Sequence, residues 1–359
     1  MPDLVYSSNF CKDSFKLIEL GDEQLIQAFE SGTKVTIKGL PDDEAVLCTE
    51  TATYSVRQVN TSNSMILCTP NDNETVQWQV CDDLSNTIEL LPCQARTGRL
   101  TELLSTSLYT GPDNEDGQSG HTFEYLLSTV QASPAELKRA LEERHAFMTE
   151  DGCYRCIDNA FLHQMLDGLA TSATILGYNV CDMTLEEANQ CLDQDFSAVP
   201  LPVRMAFLHC FVKDVHASQL CLDEYRVCRF LGSIVLEMEK GREWKMEDFM
   251  ETWGNLTRLV LEHHQPTLTT LAGLYYTTER QVLQQPQIYI TFFPSSDLPT
   301  DPAERFTRLF REKQQWSPED IYPYVDDLAR DDKHRDALLL KFTRIQKLGN
   351  KTVYGSRIK

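Results

Sequence analysis

The hydrophobic period of this chain switches from two to 3.6 near residue 120, and that switch limits the folds open to it. Before it, segments 15–20, 34–38, 53–57 and 76–80 alternate apolar and polar, the pattern of half-buried strands. Val35 and Ile37 fall on one face of such a strand, with Lys34, Thr36 and Lys38 on the other. Segments 45–48 and 65–68 are unbroken apolar runs, expected of strands covered on both faces, and 87–91 follows. One helix interrupts, over 22–30, stopped at Ser31-Gly32. Residues 1–95 therefore read as a small β-barrel or sandwich. So few short strands bury little core and leave edges open, which predicts a β partner supplied by another chain.

Residues 96–119 form a boundary, where a short helical stretch gives way to a Gly/Pro/acid-rich linker. Beyond it the chain reads as helices with strong start signals. Ser133-Pro134-Ala135-Glu136 is a capping box with proline at the first helical position, and Thr184 with Glu187 is another. Asp301-Pro302 and Ser317-Pro318 repeat the signal. Short strand-like segments at 153–157, 287–292 and 352–357 punctuate the helices. Two or three helices followed by a β ribbon is a winged-helix layout. The expected fold class is thus α+β: an N-terminal half-barrel, then three winged helices at 120–199, 200–296 and 297–359.

The last module is the most legible. Its first helix, from Pro302 to about residue 313, offers Phe306, Leu309 and Phe310 to a core. The second buries Ile321, Val325 and Leu328, and the third Leu338, Phe342 and Ile345. On that third helix Arg344 and Lys347 are expected opposite the core and Lys341 on the shoulder, with Lys351, Arg357 and Lys359 on the wing. Lys and Arg number 33 and Asp and Glu 54, so the chain carries −21. A chain this acidic is no general nucleic-acid coat, because phosphate would repel its average field. Yet residues 333–359 hold eight cations (the six just named with Lys333 and Arg335) against one acid, Asp336. That is +7, leaving −28 elsewhere. A basic helix face beside a basic wing is the footprint of a DNA-binding winged helix. The acid-rich segments 182–200 and 237–251 point instead to protein contact.

Other classes find no support. The sequence has no GxxxxGK[ST] loop, no GxGxxG, no HExxH and no GxSxG. No spacing assembles a nucleophile, a base and an orienting group, so an enzyme is not expected, and neither is a cofactor. Cys153 and Cys156 form the one CxxC, but they lack a second ligand pair and sit in a strand-like segment. His263-His264 lies at a helix end, where imidazoles face the dipole and solvent. No metal is expected. The N-terminus shows no secretory signal, and no apolar run approaches the roughly 18 residues of a membrane span. The twelve cysteines then read as reduced intracellular thiols.

The residues can also be matched to a family. Asp43-Glu-Ala-Val-Leu-Cys48, then Tyr54, Thr61-Ser-Asn63 and Tyr109-x-Gly111-Pro112 stand in family order, as do Glu304-Arg-Phe306, Leu309-Phe310, Trp316-x-x-Glu-Asp-Ile321, Pro323-Tyr324 and Val353-Tyr-x-x-Arg357. In these the chain resembles the Dcc family of sister chromatid cohesion proteins. Over 140–300 the likeness is one of layout. The resemblance implies a nuclear, non-catalytic subunit of the cohesion-specific alternative replication factor C. Its half-barrel would pair with a small partner subunit and the tail of the large subunit. The first winged helix would dock the catalytic subunit of DNA polymerase epsilon. The last ones would contact single- or double-stranded DNA without reading sequence. The complex would load the PCNA clamp and support replication and cohesion. Lys341, Arg344 and Arg357 sit where family cations occur, whereas Lys333, Arg335 and Lys347 rest on charge and geometry. The dense basic run that some relatives carry after the barrel is reduced here to Arg96 and Arg99. The competing expectation is a pure protein-interaction adaptor of the same complex with no DNA contact.

Overall fold

The structure, a computed structural model, describes residues 3–6, 10–12, 14–41, 43–60, 62, 64–70, 77–114, 120–238, 240–283, 285–329, 331–348 and 351–357. The chain is a mixed α+β protein dividing into two compact units, Met1–Ser107 with Ser119–Arg155, and Leu108–Gln118 with Cys156–Lys359.

The first unit opens with strands β1 (Asp3–Tyr6), β2 (Leu17–Glu19), β3 (Thr36–Lys38), β4 (Val46–Cys48), β5 (Thr53–Asn60), β6 (Ile66–Pro70), β7 (Gln77–Asp83) and β8 (Asn86–Cys93). They form two sheets, ordered β2-β8-β5-β4-β3 and β1-β7-β6. The barrel expected over 1–95 is not closed among the described residues, because no ladder joins the outer strands of either sheet. Helix α1 (Glu23–Glu30) covers the larger sheet. Its N-cap Asp22 accepts from the Gln24 amide at 2.8 Å and from the Tyr54 hydroxyl at 3.3 Å, tying the helix start to β5. Leu25 of α1 packs on Leu47, Tyr54 and Leu90, with Leu47 and Tyr54 placed on one face by direct cross-strand pairing. The run 45–48 is buried on both faces, as its sequence requires. The run 65–68 is not. Met65 and Ile66 are exposed because β6 is an outer strand with only β7 beside it.

Behind these sheets come α2 (Gly98–Ser105), β9 (His121–Thr122), α3 (Phe123–Thr129), α4 (Pro134–Glu143), β10 (Phe147–Met148) and β11 (Cys153–Arg155). The Ser133–Glu136 capping box is present at the start of α4. Glu136 also accepts from the Thr53 hydroxyl at 2.6 Å, which carries the cap onto β5. Lys38 reaches the turn between α3 and α4, and its ammonium donates to the carbonyls of Leu127 (2.6 Å), Val130 (3.3 Å) and Ala132 (2.6 Å). Burial holds its pKa below the ordinary lysine value. Lys38→Met keeps the stem and strips the donors from three carbonyls. It is expected to destabilise the chain by about 1–3 kcal/mol, read as a lower urea midpoint at unchanged slope.

The second unit begins with α5 (Asn159–Leu176), α6 (Leu185–Phe196), α7 (Leu201–Phe211) and α8 (Glu224–Met238). Helix α5 is capped by Asp158 and closed by Gly177 at φ +77°. Gly168 lets α6 approach, since a Cβ there would lie 2.5 Å from the Phe196 ring. Then follow β12 (Glu243–Lys245), α9 (Met246–Val260), β13 (Tyr275–Val282), β14 (Gln285–Phe292), α10 (Pro302–Glu312), β15 (Gln315–Trp316), α11 (Pro318–Ile321), α12 (Asp332–Phe342), β16 (Thr343–Leu348) and β17 (Lys351–Ser356).

One topology recurs three times. The sheets are ordered β10-β11-β9, β12-β14-β13 and β15-β17-β16. In each, a first strand separated by helix from the rest pairs with the last strand, and the last two strands form an antiparallel hairpin. These are the three ribbon segments of the sequence. Helices α5 and α6, which lie in segment 120–199, follow the first ribbon rather than preceding it.

Candidate nucleic-acid interface

The C-terminal repeat is built on the caps legible in the sequence. Asp301 accepts from the Glu304 amide and Ser317 from the Asp320 amide, each with proline next in line. Phe306, Leu309, Trp316, Ile321, Tyr324, Val325 and Leu339 form the core. The Trp316 indole N–H donates to the Lys313 carbonyl at 2.8 Å, so its buried ring leaves no polar atom unpaired. The Tyr324 hydroxyl donates to the carbonyls of Tyr275 (2.7 Å) and Phe293 (2.9 Å), binding this core to the β13–β14 hairpin. Burial raises its pKa far above the ordinary phenol value, so the hydroxyl keeps the proton it donates.

The third helix ends earlier than its apolar spacing predicts. Asp331 caps α12, but the helix stops at Phe342, whose ring stacks on Phe306 at 5.0 Å. Thr343 is extended (φ −122°, ψ 164°) and pairs with Ser356, while its hydroxyl donates back to the Leu339 carbonyl at 2.6 Å. Long-range pairing with β17 and two β-branched residues, Thr343 and Ile345, outweigh continued helix. Ile345 is accordingly exposed rather than in the core, and Tyr354 opposite it is buried.

The eight cations therefore stand as follows. Arg344 and Lys347 are on strand β16, not on a helix. At odd spacing they point to opposite faces of the hairpin. Both are exposed, and among the described residues neither has an acid within salt-bridge distance. Lys341 is exposed in the last turn of α12, its ammonium 5.0 Å from the Phe342 ring. Arg357 follows β17 and donates to the Leu340 carbonyl at 2.8 Å, closing the end of α12. Lys351 opens β17, paired with Leu348. Lys359 lies outside the described residues. Lys333 is exposed in the first turn of α12, between Asp331 and Asp332 on one side and Asp336 on the other. Arg335 is engaged within the fold: it pairs with Asp326 (2.9 Å) and Asp332 (3.1 Å) and lies over the Tyr322 ring at 4.3 Å. The carboxylate of Asp326 raises its pKa.

Positive charge is thus concentrated at the end of α12 and on the hairpin. Residues 337–359 contain six cations and no acid. The exposed face of α12 is balanced, with Asp332 and Asp336 against Lys333 and Lys341, and it carries the exposed Leu340. Such a surface can neutralise phosphates from its hairpin and the adjoining helix end, while the balanced helix face is poorly suited to reading bases.

A second surface went unnamed in the sequence. Leu4, Trp78 and Pro70 lie side by side across β1-β7-β6, all exposed. Trp78 lies on the same face of β7 as the buried Val80, so the alternation marked it as apolar-facing but could not show that this end of the face stands open. Elsewhere, no group of three or more His, Cys, Asp or Glu that could hold a metal occurs among the described residues. Of the CxxC pair, Cys153 is buried and Cys156 half-buried. His264 faces Glu224 at 3.1 Å. No helix among the described residues is long and apolar enough to cross a membrane.

Fold and surfaces together define an α+β chain in which two N-terminal sheets, open among the described residues, precede three like-ordered sheets in sequence, with an acid-free cationic end. Comparison with known families is specific: the model of the family "Sister chromatid cohesion protein Dcc1" matches residues 15–325, and the chain belongs to that family. Curated proteins named Sister chromatid cohesion protein DCC1 align along nearly all of it. The one from Xenopus tropicalis is 28% identical, covering 99% of this chain and 92% of its own. The human one is 27% identical, covering 98% and 90%. The one from Saccharomyces cerevisiae is 23% identical, covering 96% and 97%. The family match ends at Val325, ahead of α12 and the cationic hairpin.

Proposed function

We propose that this chain is a nuclear, non-catalytic subunit of the cohesion-specific replication factor C, a clamp loader for PCNA, and that it joins that complex to DNA polymerase epsilon and to DNA. Its membership of a sister chromatid cohesion family supports the setting. The three sheets with their helices are winged helices in this reading: helix, strand, helices, then a two-stranded wing whose last strand is central.

The observation that carries the subunit reading is the front sheet. A three-stranded sheet with exposed Leu4, Trp78 and Pro70 in one row, and unpaired outer edges on β1 and β6 among the described residues, lacks a cover. The small β subunit and the tail of the large subunit would supply it, completing a shared barrel. Trp78→Glu should weaken that association about thirtyfold, the usual loss when a central aromatic anchor is removed. Co-expression with both subunits, followed by size-exclusion and titration, measures it. Full-strength assembly by this variant would overturn the reading.

The DNA contact rests on a different observation, the six cations without an acid over 337–359. The balanced charge of the α12 face favours phosphate contact led by the wing over groove reading by the helix. If DNA is not bound, the chain is the pure adaptor, and charge reversal on the wing decides between the two.

A further inference from the structure

Two of the free thiols face each other across a short irregular ladder in the second unit. Met183 and Leu220 exchange both backbone hydrogen bonds, at 3.2 and 2.6 Å. The next bond of the ladder runs from the Leu222 amide to the Val180 carbonyl, at 3.2 Å. Between these bonds two residues, Cys181 and Asp182, stand against one, Cys221. The Asp182 amide also donates to the Asn179 carbonyl at 2.8 Å, so Val180 and Cys181 are the middle residues of a tight turn held against Cys221. The Cys181 and Cys221 side chains are close enough to interact electrostatically, and the Cys221 thiol donates to the Leu222 carbonyl at 3.5 Å. Both residues are partly exposed, so a small oxidant can reach them. The Cys181 amide donates to Asn179 Oδ1 at 2.9 Å and the Cys221 carbonyl accepts from the Lys213 amide at 3.0 Å, which fixes both backbones.

We propose that Cys181 and Cys221 form a reversible dithiol–disulfide site, oxidised by peroxide, that latches the α5–α6 connection to the α7–α8 connection. One thiolate attacks a peroxide oxygen; the O–O bond breaks, sulfenic acid forms and hydroxide leaves, taking up the released proton as water. The second thiolate attacks the sulfenic sulfur, the S–S bond forms and a second water departs. Two thiols lose two electrons and the peroxide gains them. A dithiol reductant reverses the reaction. Burial, with Cys221 and Glu224 nearby, raises the Cys181 pKa, while Lys213 opposes it. Oxidation is therefore slow at neutral pH and quickens as the pH rises toward the thiol pKa.

The test uses the full chain treated with hydrogen peroxide, quenched by alkylation and digested without reductant. The expected result is an intact mass lower by about 2 Da, one disulfide-linked peptide pair containing Cys181 and Cys221, reversal by dithiothreitol, and a higher melting temperature for the bridged form. Cys181→Ser and Cys221→Ser, each conservative at a partly exposed site, should each abolish the linked pair. A folded chain that stays fully reduced, is over-oxidised at single thiols, or links a different pair overturns the proposal.

Discussion

Arg305→Leu is expected to unfold the C-terminal repeat more readily by about 3–5 kcal/mol, the cost of leaving three carbonyls of a buried cluster without their donor. Arg305 is 2% exposed although it sits on an amphipathic helix. Its Nε donates to the Pro299 carbonyl at 2.6 Å, one Nη to the Tyr324 carbonyl at 3.1 Å and to Asp327, and the other toward the Leu298 carbonyl at 3.5 Å. A single planar guanidinium thereby holds the segment leading into α10 and the two successive turns that follow α11. Leucine fills part of the volume but leaves three carbonyls and a carboxylate without a donor. Arg305→Lys should recover little, because an ammonium cannot reach diverging acceptors. The damage should spread, since Tyr324 links this core to the β13–β14 hairpin. For a unit of this size the melting temperature should fall by about 6–20 °C. Calorimetry of wild type and both variants gives the answer. A fall below about 2 °C for the leucine variant would show that the buried guanidinium is dispensable.

Arg305 also shows what the sequence could not disclose. Its neighbours Phe306 and Leu309 announce a core-facing helix, and the spacing assigns Arg305 no special place. Only the return of residues 324 and 327, some twenty positions later, turns it inward. What depended on local physics was legible: the caps at Asp301 and Ser317, the Ser133–Glu136 box, the strand β5 and the ribbon segments; β3 is a strand too, but Ile37 is exposed and Lys38 turns inward, against its alternation. What depended on distant pairing was not. Residues 338–345 fit a period of 3.6 well enough to extend α12 to Ile345, and only the ladder with β17 ends it at Phe342. For the candidate site, the charge asymmetry marks the C-terminal segment, but a count cannot tell Arg335, engaged by Asp326 and Asp332, from Arg344 exposed on a strand. The strand β1 went unrecognised because three apolar residues, Leu4-Val5-Tyr6, are too few to show a period, and it is β7 that recruits them.

The largest functional effect should follow from reversing three exposed cations together, Lys341→Glu, Arg344→Glu and Lys347→Glu. Arg357 is left alone, because its bond to the Leu340 carbonyl mixes a fold role with its charge. Arg344 and Lys347 are exposed on strand β16, and Lys341 is exposed at the end of α12, so the triple variant should melt within a few degrees of wild type. On duplex DNA each neutralised phosphate adds about 0.9 to the slope of log affinity against log salt. At about 0.1 M salt that is close to tenfold in affinity per contact. Losing three contacts predicts about a thousandfold weaker binding and a slope shallower by about 2.7. Because the cations lie on both hairpin faces and the α12 surface is balanced, the loss should be alike for unrelated sequences. Fluorescence anisotropy on two duplexes of different sequence, repeated over a salt series, reads all three quantities. Unchanged affinity and slope in a folded triple variant would remove DNA from the function and leave the adaptor. A loss confined to one sequence would mean that bases rather than phosphates are read, and would move the interface from the wing to the helix.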